Sequence, residues 1–151
     1  MDGGTSTQPA GWLDRSRDLV EERSGKINRY TENGFLAYWR DRPEARAQVG
    51  QALAGLGAFQ SPNTPSFRLA LHYAQIQIGH PAGGQEILSG SAVNFAFRVE
   101  RLAQSLKAAN LITEVAQALL QPMVRLQFVG RHPLQGIEGD HAFYQISPLG
   151  S

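Results

Sequence analysis

From Gly90 to Glu100 the chain reads Gly-Ser-Ala-Val-Asn-Phe-Ala-Phe-Arg-Val-Glu, and this stretch restricts the fold more than any other. It predicts an apolar helix, from about Ser91 to Lys107, that carries an amide and a guanidinium four positions apart. Residues at i and i+4 share a helical face, so Asn94 and Arg98 can reach one object together. An arginine fork suits phosphate oxygens, and an amide can donate to a ring or phosphate oxygen. The plainer reading turns Asn94 toward the backbone and pairs Arg98 with a glutamate. The rest of the chain bears on the choice.

At 151 residues the chain has the size of one domain, large enough for a core without metal or disulfide staples. Hydrophobic residues make up 42% and charged residues 18%, an ordinary globular balance. A net charge of +1 makes no general electrostatic case for nucleic acid, and none is expected as a partner. Cysteine is absent, which removes disulfides, zinc–thiolate sites and thiol chemistry. No apolar run approaches the ~18 residues of a membrane span, so no membrane partner is expected. Met1 to Ala10 lacks the basic start and apolar centre of a secretory signal. The expectation is a soluble, cytoplasmic protein with a flexible leader over 1–11, one domain over 12–147 and a flexible tail over 148–151.

Trp12 to Arg23 reads as a short amphipathic helix that stops near Ser24-Gly25. Lys26 to Thr31 and Phe35 to Trp39 are strand-like and flank Glu32-Asn33-Gly34, where Asn-Gly signals a hairpin turn. Asp41 to Glu44, with an early Pro43, can open a helix that runs to about Leu56. Ser61 to Pro65 reads as a loop. Phe67 to Ile78 alternates, with Phe67, Leu69 and Leu71 on one face, and predicts a long central strand or a strand pair. His80 to Gln85 is a turn, and a brief strand at Glu86 to Leu88 precedes the Asn94/Arg98 helix. Asn110 to Thr113 predicts another strand, followed by a helix to Leu120. Leu126 to Val129 and Ala142 to Ile146 predict strands joined by a polar connection around Leu134 to Asp140. The sum is an α/β sandwich of ferredoxin-like character, with a mixed or antiparallel sheet and helices mainly on one side.

Four segments in this order carry a resemblance. Asn33-Gly34-Phe35-Leu36-Ala37-Tyr38-Trp39 looks like a Gly-Asp-Gly-Phe-Leu-Ala-Val-Phe hairpin, and Arg68 to Ala74 resembles an Ile-His-Thr-Gly strand. Gly90 to Glu100 matches a Gly-x-x-Val-Asn-x-Ala-x-Arg-x-Glu helix. Val129-Gly130 through Leu134-Gln135-Gly136 to Phe143-Tyr144 is similar to a closing Gly-x-x-x-Leu-Lys-Gly strand with an aromatic end. Together they resemble the catalytic domain of class III adenylyl and guanylyl cyclases, over about residues 12 to 147. The resemblance implies a nucleotide-cyclase-type sandwich that forms head-to-tail dimers with ATP or GTP in the cleft between subunits. It also implies two aspartates from one subunit holding Mg²⁺ or Mn²⁺, while the other subunit supplies an Asn for ribose and an Arg for transition-state phosphate. Such chemistry needs charge compensation where negative charge concentrates.

By that resemblance Asn94 and Arg98 are the candidate catalytic residues, and Arg29 and Gln135 the candidate nucleotide-binding ones. Arg29 falls where adenylyl cyclases tend to carry a base-reading Lys, although a guanidinium is broader than an ammonium. Ile87 falls where the second base-reading polar residue is expected, and Gln135 replaces the phosphate-meeting Lys, keeping a donor without its charge. The metal half departs further. No apolar strand precedes Trp12 to carry the first aspartate, so the fold is expected to be N-terminally shortened. Asn33 stands at the second, and its amide brings no charge against a triphosphate. Glu32 beside it reads as an exposed carboxylate, since alternation disfavours both pointing inward. No metal ligands and no resident cofactor are therefore expected, Mg²⁺ or Mn²⁺ belonging only to the cyclase alternative.

His72 reads as a sheet histidine, and His80, His132 and His141 lack metal-ligand spacing. Gly83-Gly84 is too short for a phosphate loop, and Phe35, Tyr38, Trp39, Phe95 and Phe97 read as core or interface. The expected function is a degenerate cyclase-like domain: a non-catalytic regulatory or nucleotide-binding module, paired as a homodimer or with a cyclase-like partner. An open sheet edge would invite that pairing. The alternatives are a nucleotide cyclase, best as the half of a heterodimer that donates Asn94 and Arg98, and a structural remnant whose Arg98 pairs with Glu100.

Overall fold

A computed structural model describes residues 3–31, 34–60, 67–82, 84, 86–121 and 123–147, with 3–10 as backbone only. The chain divides into two compact units, 1–67 and 68–151.

In the first unit, helix α1 (Gly3–Glu22) leads into the antiparallel hairpin of β1 (Lys26–Thr31) and β2 (Gly34–Tyr38), and α2 (Ala45–Gln60) follows. The helix thus begins at Gly3 rather than Trp12 and runs through the segment read as a leader. It ends where expected, and the reason is local. Ser24 adopts a φ of 70°, the Gly25 N–H donates to the Val20 carbonyl at 2.9 Å and the Ser24 N–H to Glu21 at 3.1 Å. That pair of bonds is a Schellman closure. Gly25 is required by packing, because a Cβ there would lie 2.5 Å from Val20 Cγ1 and 2.7 Å from Trp39 Cζ2. The Trp39 indole donates to the Arg23 carbonyl at 2.8 Å, tying the helix end to the end of the hairpin.

The hairpin register slips between Ile27 and Arg29, which leaves buried Asn28 as the extra residue of a bulge. Helix α2 continues past Leu56 to Gln60, whose amide donates to the Phe67 carbonyl at 3.1 Å. Phe67 stacks on Trp12 at 5.3 Å and tilts against Phe59 at 5.7 Å. The Glu32-Asn33 turn and the Ser61 to Pro65 loop lie outside the described residues.

The second unit holds β3 (Leu69–Leu71), β4 (Gln77–Gly79), β5 (Ile87–Ser89), α3 (Ser91–Leu106), β6 (Asn110–Thr113), α4 (Glu114–Leu120), β7 (Leu126–Leu134) and β8 (Ile137–Ile146). Its main sheet has the order β3-β6-β8-β7, parallel between β3 and β6 and antiparallel elsewhere. A separate antiparallel pair joins β4 and β5.

One expectation is decided here and another corrected. Of the two readings of the run from Phe67 to Ile78, the structure shows two strands, β3 and β4, and not one long strand. β3 stops at Leu71, opposite Ile112, because its partner β6 turns into α4 one residue after Thr113 and offers no further ladder. The connection from Leu134 to Asp140 is no loop either: β7 and β8 continue until Leu134 faces Ile137 across a Gln135-Gly136 turn. Glu138, Gly139 and Asp140 are exposed yet remain in strand; Asp140 pairs with Pro133, while Glu138 and Gly139 form the irregularity between that pair and Leu134–Ile137.

The core of this unit gathers Val99 and Ala103 from α3, Leu111 from β6, Leu134 from β7 and Phe143 from β8. Buried Asn110 accepts a bond from the Ile146 N–H at 2.7 Å through its side-chain oxygen, fastening β6 to the end of β8. Thr113 caps α4, its hydroxyl accepting from the Ala116 N–H at 3.4 Å.

Candidate functional site

Helix α3 sets the site. Its buried side carries Phe95, Val99 and Ala103 against the core, and Asn94 and Arg98 lie one residue, or roughly 100°, around the helix from that stripe. Burial of the stripe therefore fixes which way the pair faces. Asn94 is exposed and Arg98 half-buried. Lys107 in the left-handed region closes the C-terminus, the Ala108 N–H donating to the Ala103 carbonyl at 2.9 Å.

Arg98 does not pair with Glu100. Its Nη1 donates instead to the main-chain carbonyl of Gln135, in the turn between β7 and β8. Glu100 accepts from the Gln104 amide at 2.5 Å, and no carboxylate pairs with Arg98 among the described residues. The acceptor of the guanidinium is thus a neutral carbonyl. The structure brings Arg98 and Gln135 together, but through the Gln135 backbone rather than the amide that the motif singles out. Arg29 lies exposed on β1, in the first unit. Asn33 and Glu32 fall outside the described residues. Among the described residues no group of three or more His, Cys, Asp or Glu could hold a metal ion.

Beneath the helix lies an aromatic cluster that sequence reasoning missed. Phe95 sits between the rings of His72 at 4.5 Å and His141 at 5.5 Å. His72 Nδ1 lies 2.9 Å from Thr113 Oγ1, and His141 Nε2 is buried with no hydrogen-bond partner among the described residues. Alternation put His72 on a strand, but only the tertiary structure brought it, one residue past β3, and His141 of β8 to the same phenylalanine.

Burial pushes the His72 pKa below its ordinary 6.5, because a charged imidazole would lose solvation there. A base with a depressed folded pKa stabilises the fold fully above the unfolded value. That contribution is lost as pH falls below about 6.5, where the unfolded chain takes up the proton first. Thermal melts should show the midpoint falling below that pH, with a shallower fall in His72→Gln. Equal pH slopes in the two proteins would refute the assignment.

No protein-family model and no curated protein matches the sequence. Solved structures do. The adenylyl cyclase CyaB from P. aeruginosa matches at a TM-score of 0.68 and 16% identity, over 98% of this chain and 84% of that one. The guanylate cyclase domain of RhGC from Catenaria anguillulae, solved with GTP, matches at 0.68 and 11%, over 97% and 85%. An adenylate/guanylate cyclase/hydrolase from Silicibacter pomeroyi matches at 0.64 and 14%, over 98% and 87%. The chain therefore has the nucleotide-cyclase fold, a mixed sheet with packed helices, in agreement with its motifs. At these identities the likeness is one of fold. No helix among the described residues is long and apolar enough to cross a membrane.

Proposed function

We propose that residues 12–147 form a degenerate cyclase-like domain that works as a nucleotide-binding, regulatory dimerisation module. In it Asn94 and Arg98 face the nucleotide, with Arg29 and Gln135 as lesser contacts. One observation carries the reading: among the described residues Arg98 rests against a neutral carbonyl, meets no carboxylate and has most of its donors unspent. An arginine kept only to hold the fold would more naturally be neutralised by a carboxylate, and Glu100 is engaged elsewhere. The ligand class is a nucleoside triphosphate, ATP or GTP, and the partner a second copy or a cyclase-like chain.

Calorimetric titration with ATP and GTP, alongside solution mass over a range of concentrations, tests this. Triphosphate binding that weakens with salt is expected, with dimers forming as concentration rises. A chain that stays monomeric at high concentration and binds neither nucleotide nor a cyclase-like partner would sink the proposal. A second reading rests on the same pair, whose two residues belong to the same half of a cyclase cleft. The chain would then lend Asn94 and Arg98 to a partner that supplies both metal-binding aspartates.

A further inference from the structure

We propose that the Gln135-Gly136 turn positions Arg98 through its main chain, so that Gly136, and not the Gln135 side chain, sets where the guanidinium stands. The proposal deepens, and rests on, the reading of Arg98 as a phosphate-facing residue. Leu134 pairs with Ile137, so Gln135 and Gly136 are the two central residues of a tight turn. Gly136 holds a φ of +79°, the value a type II turn needs at its third position and one that glycine adopts without steric penalty. The turn aims the Gln135 carbonyl at Arg98 Nη1.

Gly136 also clears the space that the guanidinium occupies. A Cβ there would lie 3.0 Å from Nη1, 3.4 Å from Cζ and 3.6 Å from Nη2 of Arg98. Nη1, Cζ and Nη2 thus lie along the bare glycine. A Cβ at 136 makes the guanidinium give by a few tenths of an ångström, and a longer side chain displaces it further. Among the described residues only Nη1 is engaged, and an arginine has five N–H donors in a fixed fork. The carbonyl therefore orients the fork and leaves the remainder for an oxyanion.

The fold supplies its own control. Gly139 has a similar φ of +86°, and a Cβ added there would meet nothing within 4 Å, so a substitution carries the backbone strain without the contact. Asparagine tolerates the left-handed region better than other side chains, which makes Gly136→Asn and Gly139→Asn a matched pair. Gly136→Ala is the smaller second variant should the first fold poorly. Two measurements decide. In the ¹⁵N-arginine side-chain spectrum, with the Arg98 signal identified by its loss in Arg98→Lys, Gly136→Asn should shift and broaden that signal. Gly139→Asn and Gln135→Ala should leave it as in the native chain.

In ATP titrations Gly136→Asn should weaken binding about tenfold, the worth of one misplaced charge-assisted bond, and should add nothing when Arg98 is already alanine. An Arg98 signal indifferent to residue 136, or the same loss of affinity in the Arg98→Ala background, overturns the proposal. A native chain whose Arg98 signal responds to Gly136→Asn but not to ATP upholds the positioning and overturns the phosphate reading instead.

Discussion

Replacing Phe143 by alanine should destabilise the second unit by about 3–5 kcal/mol, the range for emptying a buried aromatic site. Phe143 is fully buried at the centre of the cluster that joins α3, β6, β7 and β8. It pairs in register with Thr113 on one side and Gly130 on the other. The ring therefore touches the elements that hold both ends of the Arg98 contact. Loss of its contacts would leave a cavity that strands fixed by ladder bonds cannot collapse to fill. A loss of that size is a large fraction of the roughly 5–15 kcal/mol that stabilises a typical domain. Urea melts should show a sharply lowered midpoint for Phe143→Ala, whereas Val115→Ala, at a half-exposed site, should stay within about 0.5 kcal/mol of native. A near-neutral Phe143→Ala would mean that the core is not organised around this ring.

The second large effect concerns chemistry in a mixed assembly. On the half-enzyme reading, this chain combined with a cyclase chain that brings both metal-binding aspartates but lacks its own Asn and Arg should restore cyclic nucleotide formation. Arg98→Ala should then lower turnover about 100- to 1,000-fold, the scale seen when one preorganised donor to developing charge is removed. Charge builds on the phosphate as the bond to pyrophosphate lengthens. A fixed cation there stabilises the transition state more than the ground state. Arg98→Lys should recover only part of the rate, because an ammonium keeps the charge but loses the fork. Coupled pyrophosphate release measures all three. A reconstituted rate that does not depend on Arg98 would end the half-enzyme reading and leave the binding module to stand on its titrations.

Much of the fold was legible because its signals are local. Asn-Gly between two strand-like runs specified the β1–β2 hairpin, and the run from Asn110 to Leu120 specified β6 and α4 within their observed bounds. Readings stayed open or failed where pairing rather than pattern decides. Alternation from Phe67 to Ile78 is the same whether or not a neighbour is present, yet β3 lasts only as long as β6 beside it. Polar residues between Leu134 and Asp140 resemble a loop in isolation, but the hairpin closes only where Leu134 meets Ile137. The early start of α1 had no warning in its Gly- and Thr-containing first turns, which have weak helix propensity.

The site divides along the same line. That Asn94 and Arg98 share one helical face follows from sequence alone, since four residues of helix geometry require no other part of the molecule. Gln135 was named in the sequence for its side-chain amide, and the structure adds a contact through its carbonyl: a motif names a residue and cannot say what its backbone does. What Arg98 meets was decided only by the tertiary structure. Its acceptor is a carbonyl 37 residues away, carried by a turn that the sheet register brings to the helix. Main-chain groups are the same at every position, so a contact made through them leaves no trace in the sequence except the glycine that makes room for it.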